Sequence, residues 1–140
     1  MYDLFKPEQP VGLMDFVRAA KACIKEINSE ELERMMAKGD VLLVDTRESS
    51  EYEQGHIKHA LLVPRGILEA AADPSYPKHV PELCAARTRP VVVYCATGGR
   101  SAMAAAVLQM MGFQEVYSLA GGFSEWEKSD KPVVREARYV

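Results

Sequence analysis

Short apolar runs without helical or alternating period constrain this chain most. Val91-Val92-Val93-Tyr94 is four consecutive β-branched or aromatic residues, too brief for a buried helix and apolar on both faces of a strand. This is the pattern of a parallel strand covered on both sides. Val41-Leu42-Leu43-Val44 and Ala60-Leu61-Leu62-Val63 repeat it, and Glu115 to Leu119 adds a fourth strand. Helix-forming segments lie between them, and alternation of this kind specifies an α/β fold with helices on both faces of a parallel sheet.

The Val91 strand ends at Cys95. Ala96-Thr97-Gly98-Gly99-Arg100 follows, and from Ser101 to Met111 there is neither Gly nor Pro, a helix that Gly112 is placed to stop. The loop therefore runs into a helix N-terminus, where unpaired N–H groups and the helix dipole favour an anion. Gly98 and Gly99 are read as positive-φ residues that turn successive N–H groups toward the Cys95 sulfur, with Arg100 adding a full charge beside it. A thiol so placed has a depressed pKa and is a nucleophile. Cys23 and Cys84 lack these features and read as inert, buried thiols.

At 140 residues the chain is long enough for one domain with a real core, and its 48% apolar and 26% charged residues are those of an ordinary globular chain. A net charge of -3 without a basic stripe gives no reason to expect nucleic acid. Three irregularly spaced cysteines argue against a disulfide framework and fit a reducing compartment. Asp15 and Arg18 interrupt the Gly12–Ala20 stretch, so no signal peptide is read, and no apolar stretch is long enough to span a bilayer. The expectation is a cytoplasmic protein without membrane contact.

Three regions follow: an N-terminal extension over 1–22 with a short amphipathic stretch, a domain over 23–132, and a tail over 133–140. The domain opens on an alternating edge strand over 23–27. Asn28 and Glu31 have capping-box spacing for a helix that Gly39 closes. A short helix over 48–54 is stopped by Gly55, and a last one spans 121–128. Pro74, Pro77 and Pro81 break 66–89 into irregular chain with brief helices. In such sheets ligands bind at the carboxyl ends of the strands, where Cys95 lies.

Two blocks resemble the rhodanese (thiosulfate sulfurtransferase) domain family. One runs from Val44-Asp45-Thr46-Arg47-Glu48 through Glu51-Tyr52-Glu53-Gln54-Gly55-His56-Ile57 to Ala60 and Pro64. The other runs from Tyr94-Cys95 through Gly98, Arg100-Ser101, Gly112-Phe113 and Gly121-Gly122-Phe123 to Trp126. The resemblance implies a doubly wound α/β domain in which Cys95 accepts a sulfane sulfur from a small-molecule donor, thiosulfate or a persulfide, and passes it to a thiol or protein acceptor. The persulfide anion is then held by the backbone of Ala96, Thr97, Gly98, Gly99, Arg100 and Ser101. No cofactor or metal is implied. His59 stands where the family usually has Gly. Ala96 stands where many active members have Arg or another polar residue, which implies weak affinity for free thiosulfate.

Four residues separate Cys95 from Arg100, one fewer than in cysteine phosphatases, which gives a cradle sized for sulfur rather than phosphate. The loop also lacks the pattern of mercaptopyruvate sulfurtransferases. A non-enzymatic binding or redox-sensing module is the alternative, with a phosphatase relative behind it. Asp45 and Arg47 read as a structural ion pair or cap, Arg47 being also a candidate for the pocket rim. His56 reads as structural, and a zinc site from His56, His59, Cys84 and Cys95 lacks ligand spacing. Phe123 and Trp126 are read as packing the last helix, and Met103, Met110 and Met111 as helix and core residues. Segment 65–89 either forms part of the pocket rim, with Arg65, Glu69 or Tyr76 selecting the donor or a partner protein, or is only a long surface loop.

Overall fold

In the computed structural model, residues 6–135 are described. The first element among the described residues is helix α1, Leu13–Cys23, and the N–H of Gly12, the residue before it, donates to the Asp15 carboxylate at 2.7 Å. Strand β1, Lys25–Ile27, follows, then α2, Ser29–Lys38. The Asn28 and Glu31 side chains cap that helix reciprocally at 2.9 and 3.0 Å, and Gly39 ends it at φ 82°, as the spacing of these residues requires.

Strand β2, Leu42–Asp45, leads to α3, Ser49–Gln54, and to β3, which keeps only Leu61–Leu62 of the apolar run around it. A 3-10 turn at Arg65–Ile67 and the short helices α4, Leu68–Ala71, and α5, Pro81–Cys84, carry the proline-broken segment. Strand β4, Val91–Tyr94, is followed by α6, Gly99–Met110, then β5, Val116–Leu119, and α7, Gly122–Lys128.

The five strands are all parallel, in the order β1-β5-β4-β2-β3. The edge position of β1 is the one its alternating sequence predicts. Strand β4 lies at the centre, where both faces must be apolar, and all four of its residues are fully buried. Side chains alternate across it: Val91 and Val93 pack with Ala104, Ala105 and Leu108 of α6, while Val92 and Tyr94 pack with Leu32, Phe123 and Trp126. Those last two residues hold α7 on the sheet, as read from the sequence.

From β2 the chain moves outward to β3, and from β4 it moves to β5 on the other side. Connections thus leave the neighbouring strands β2 and β4 in opposite directions, and the crevice beyond their carboxyl ends is where such a sheet accommodates a ligand. Cys95 is the first residue past β4. Among the described residues, no helix is long and apolar enough to cross a membrane.

The methionine and cysteine readings need correction. Met110 is 71% exposed, and Met103 faces the Cys95 pocket. Met111 packs on the core. Cys23, expected to be buried, is exposed at the end of α1, because that helix buries only Val17 and Ala20. Cys84 is half-buried and donates to the Ala71 carbonyl.

Candidate active site

Cys95 is 1% exposed, and its sulfur takes the place of a helix cap. Gly98, the residue before α6, has no side chain to cap it and sits at φ 109°. The Cys95 Sγ accepts the N–H of Gly98 at 3.1 Å and that of Ser101, the third residue of the helix, at 3.4 Å. Those are donors that a helix start leaves unpaired, and a thiolate satisfies them better than a thiol.

Gly98 alone of the two loop glycines takes positive φ. Gly99 is already helical, so α6 begins two residues earlier than its composition suggests. This earlier start is what brings Ser101 deep enough for its N–H to reach the sulfur.

Burial pushes the Cys95 thiol up. The Ser101 hydroxyl, with the backbone N–H groups of Ser101, Gly98 and Thr97, more than offsets it and holds the thiol below its ordinary value. The Ser101 hydroxyl is itself fixed at 2.8 Å from that of Ser118 on β5, both residues being fully buried. Ser118 went unnoticed in the sequence: it is an ordinary strand residue until the β4–β5 register sets it on the α6 face of the sheet.

Arg100 stands near enough to Cys95 for the two charges to interact, and Glu51 shares its charge. Both of its terminal nitrogens donate to the Glu51 carboxylate, at 2.8 and 3.0 Å. That guanidinium hydrogen-bonds Glu51 and lowers its carboxyl to about 2, while Glu51 in turn raises Arg100. The guanidinium charge is therefore largely spent on Glu51, and N–H and O–H donors do most of the work of stabilising the sulfur anion.

Arg47 is not on the rim. It is buried, bonded to both oxygens of Asp45 at 2.8 to 3.2 Å and to the Gly55 carbonyl at 2.7 Å, with its guanidinium 4.4 Å from the Phe123 ring. Asp45 follows the parity of Leu43 onto the α7 face, which draws Arg47 under the sheet end and away from Cys95. The ion-pair reading of these two residues holds, and the rim role does not.

His56 is buried, stacked on Tyr52 with ring centroids 3.7 Å apart, and bonded through Nδ1 to the Tyr52 carbonyl at 3.0 Å. It is a structural residue, and no cluster of three metal-ligating side chains occurs among the described residues. His59 adopts φ 72°, the left-handed conformation for which the usual Gly is suited.

The underside of the loop rests on α7. Phe123 N–H donates to the Cys95 carbonyl at 2.8 Å and Ser124 N–H to the Ala96 carbonyl at 2.9 Å. Gly122, at φ 58°, makes this approach possible, since a Cβ there would stand 2.5 Å from the Cys95 oxygen.

Above the sulfur is a cavity of about 270 Å³ bounded by Cys95, Thr97, Gly99, Arg100 and Met103 and, from α1, by Leu13, Met14, Val17 and Lys21. The α1 wall is the part of the site that sequence reasoning missed. No residue of 65–89 lines this cavity: Arg65 instead pairs with Glu69 at 2.9 Å, and Tyr76 is exposed.

The rhodanese-like domain model matches residues 28–129. A sulfurtransferase of Allochromatium vinosum is 37% identical over 112 residues, covering 79% of this chain and 95% of that protein. The thiosulfate sulfurtransferase GlpE of Coxiella burnetii is 34% identical over 103 residues, covering 74% and 87%. Among solved structures, the Rhodopseudomonas palustris protein RPA3614, described as of unknown function and a possible tyrosine phosphatase, superposes with a TM-score of 0.82 at 30% identity. That superposition covers 92% of this chain and 99% of the other. Sequence, strand order and the cysteine loop agree, and the chain belongs to the rhodanese-like domain family.

Proposed function

We propose that this protein is a sulfurtransferase in which Cys95 carries the sulfur. The observation that supports this best is the pair of N–H groups, from Gly98 and Ser101, aimed at a buried sulfur at the start of α6. The Cys95 thiolate attacks the outer sulfur of a donor such as thiosulfate or a persulfide. The sulfur–sulfur bond of the donor breaks, and its electron pair leaves with sulfite or a thiolate. The outer sulfur of the new persulfide is an anion at the mouth of the loop, within the field of the same donors. A thiol, cyanide or protein cysteine then takes that sulfur and restores the thiolate. Depression of the Cys95 pKa removes the need for a general base, consistent with His56 being occupied elsewhere.

The sulfurtransferase names of the two relatives support sulfur transfer as the reaction class. Phosphate transfer, suggested by the description of the R. palustris structure, fits less well. Only four residues lie between Cys95 and Arg100, and the arginine that would grip a phosphate holds Glu51. Free thiols at Cys23, Cys84 and Cys95 suit a reducing cytoplasm as the working compartment.

Incubation with thiosulfate or a low-molecular-weight persulfide should add one sulfur atom to Cys95 by intact mass. Cyanide should then release thiocyanate, and Cys95→Ser should abolish both. Absence of sulfur uptake from either donor, or equal turnover by the variant, rules the reading out. A complex that survives Cys95→Ser would instead mark a binding module.

A further inference from the structure

On the reading that Cys95 carries a sulfane sulfur, we propose that α1 makes the site select donors whose sulfane sulfur is attached to an apolar organic group over inorganic thiosulfate. Three observations carry this.

The first is the make-up of the wall. Leu13 and Met14 precede Val17 by four and three residues and Lys21 follows it by four, hence all lie on one helical face, and that face bounds the cavity above Cys95. Met103 of α6 lines the same cavity. Val17 is buried against Gly99 and anchors the helix, whereas Leu13 and Met14 remain 66% and 55% exposed. Two large apolar side chains at the mouth of a reactive site offer a bound alkyl group what they do not find in the core.

The second is charge. The lining holds two cations, Lys21 and Arg100. Arg100 is engaged by both oxygens of Glu51, and Lys21 stands 3.6 Å from Glu26. The two cations are thus matched by two carboxylates, and the mouth has no surplus charge for a dianion such as thiosulfate. An alkyl thiosulfonate, R–SO2–S⁻, carries a single charge and an apolar tail.

The third is size. A cavity of about 150 Å³ is enough for benzene, so 270 Å³ holds a short alkyl chain with its sulfonyl group. Helix α1 also lies outside the segment matched by the family model, 28–129, so this wall is not part of the domain's common core.

The step balances without a further reagent. The Cys95 thiolate attacks the terminal sulfur of the thiosulfonate, the Sγ–S bond forms, the S–S bond breaks, and its electron pair leaves on the sulfinate R–SO2⁻. One thiolate and one monoanion give one persulfide anion and one sulfinate.

The test measures kcat/KM for sulfite or sulfinate release with thiosulfate and with the free methane-, propane- and butanethiosulfonate anions, in which the leaving group is electronically similar. Cyanide serves as acceptor, and Cys95 loading is followed by mass. Each added methylene is expected to raise kcat/KM about threefold, so butane should exceed methane by roughly thirtyfold, and butanethiosulfonate should be used better than thiosulfate. In a Leu13→Gln/Met14→Gln double variant, which keeps good helix formers at exposed positions, the gain from methane to butane should fall to about fivefold or less. A flat dependence on chain length, a gain unchanged in the double variant, or a preference for thiosulfate overturns the inference while leaving sulfur transfer standing. No sulfur uptake from any of the four donors overturns both.

Discussion

The sulfur of Cys95 is held by short-range donors, and each can be weighed. Its N–H partners belong to the backbone and cannot be deleted, but the Ser101 hydroxyl can be re-aimed through Ser118. The two hydroxyls are 2.8 Å apart in a fully buried site. If Ser118 donates to Ser101, the Ser101 proton is left to point at the sulfur, where it lowers the thiol pKa. Ser118→Ala removes that constraint. The thiolate is the anionic form, so loss of a donor raises the pKa, and the pH midpoint of alkylation by iodoacetamide should move upward. Losing about 1 kcal/mol of hydrogen bonding corresponds to roughly fivefold slower alkylation below the midpoint. Ser118→Thr, which keeps the hydroxyl, should restore the parent profile; an unchanged midpoint in Ser118→Ala would show that Ser118 only fills space. Cys95 itself was legible in the sequence because strand, glycines and helix are contiguous there. The Arg47–Asp45 pair was legible as well, the two residues being neighbours in sequence, whereas the commitment of Arg100 was not, because it depends on Glu51 being carried to it by the fold.

At the level of elements, local signals and structure agree wherever a segment's fate is decided by its own residues. The Asn28–Glu31 cap, the Gly39 stop and the all-buried β4 are of this kind. Boundaries shift where a distant partner decides: β3 shrinks to two residues on a sheet edge, and α6 starts at Gly99 because the sulfur of Cys95 caps it. Gly121-Gly122 reads in sequence only as the opening of a helix. In the structure Gly122 lets α7 donate two N–H groups to the carbonyls beneath the cysteine loop, with φ 58° and a virtual Cβ 2.5 Å from the Cys95 oxygen and 2.7 Å from that of Ala96. Gly122→Ala adds left-handed strain of about 1 to 2 kcal/mol to a backbone clash worth about 1 to 3 kcal/mol. The expected loss is about 3 kcal/mol, a fall in Tm on the order of 10 °C. Sulfur loading should fall with it, since Cys95 can relieve the clash only by moving away from its donors. Unchanged Tm and loading would show that the loop does not depend on α7.

For the molecule as a whole, α1 stands apart from the sheet domain in how it is held. The sheet packs both of its faces with buried residues from β1, β2, β4 and β5, whereas α1 buries only Val17 and Ala20 and packs mainly on α6. Such an element opens at lower free energy than the core it rests on, and here it also forms one wall of the Cys95 cavity. Its role was illegible in the sequence for the same reason: an amphipathic stretch that leaves Leu13, Met14 and Phe16 more than half exposed does not announce the surface it will cover. Val17 is the anchor, 3% exposed and in contact with Gly99. Val17→Ala deletes two methyl groups at about 0.8 kcal/mol each, which makes α1 open roughly fifteen times more often if the loss falls on local opening alone. Hydrogen exchange should then speed up by about that factor across 16–23, while β4 amides keep their protection. Equal acceleration in β4 would mean that α1 and the sheet unfold as one unit, and that the wall over Cys95 is as permanent as the core beneath it.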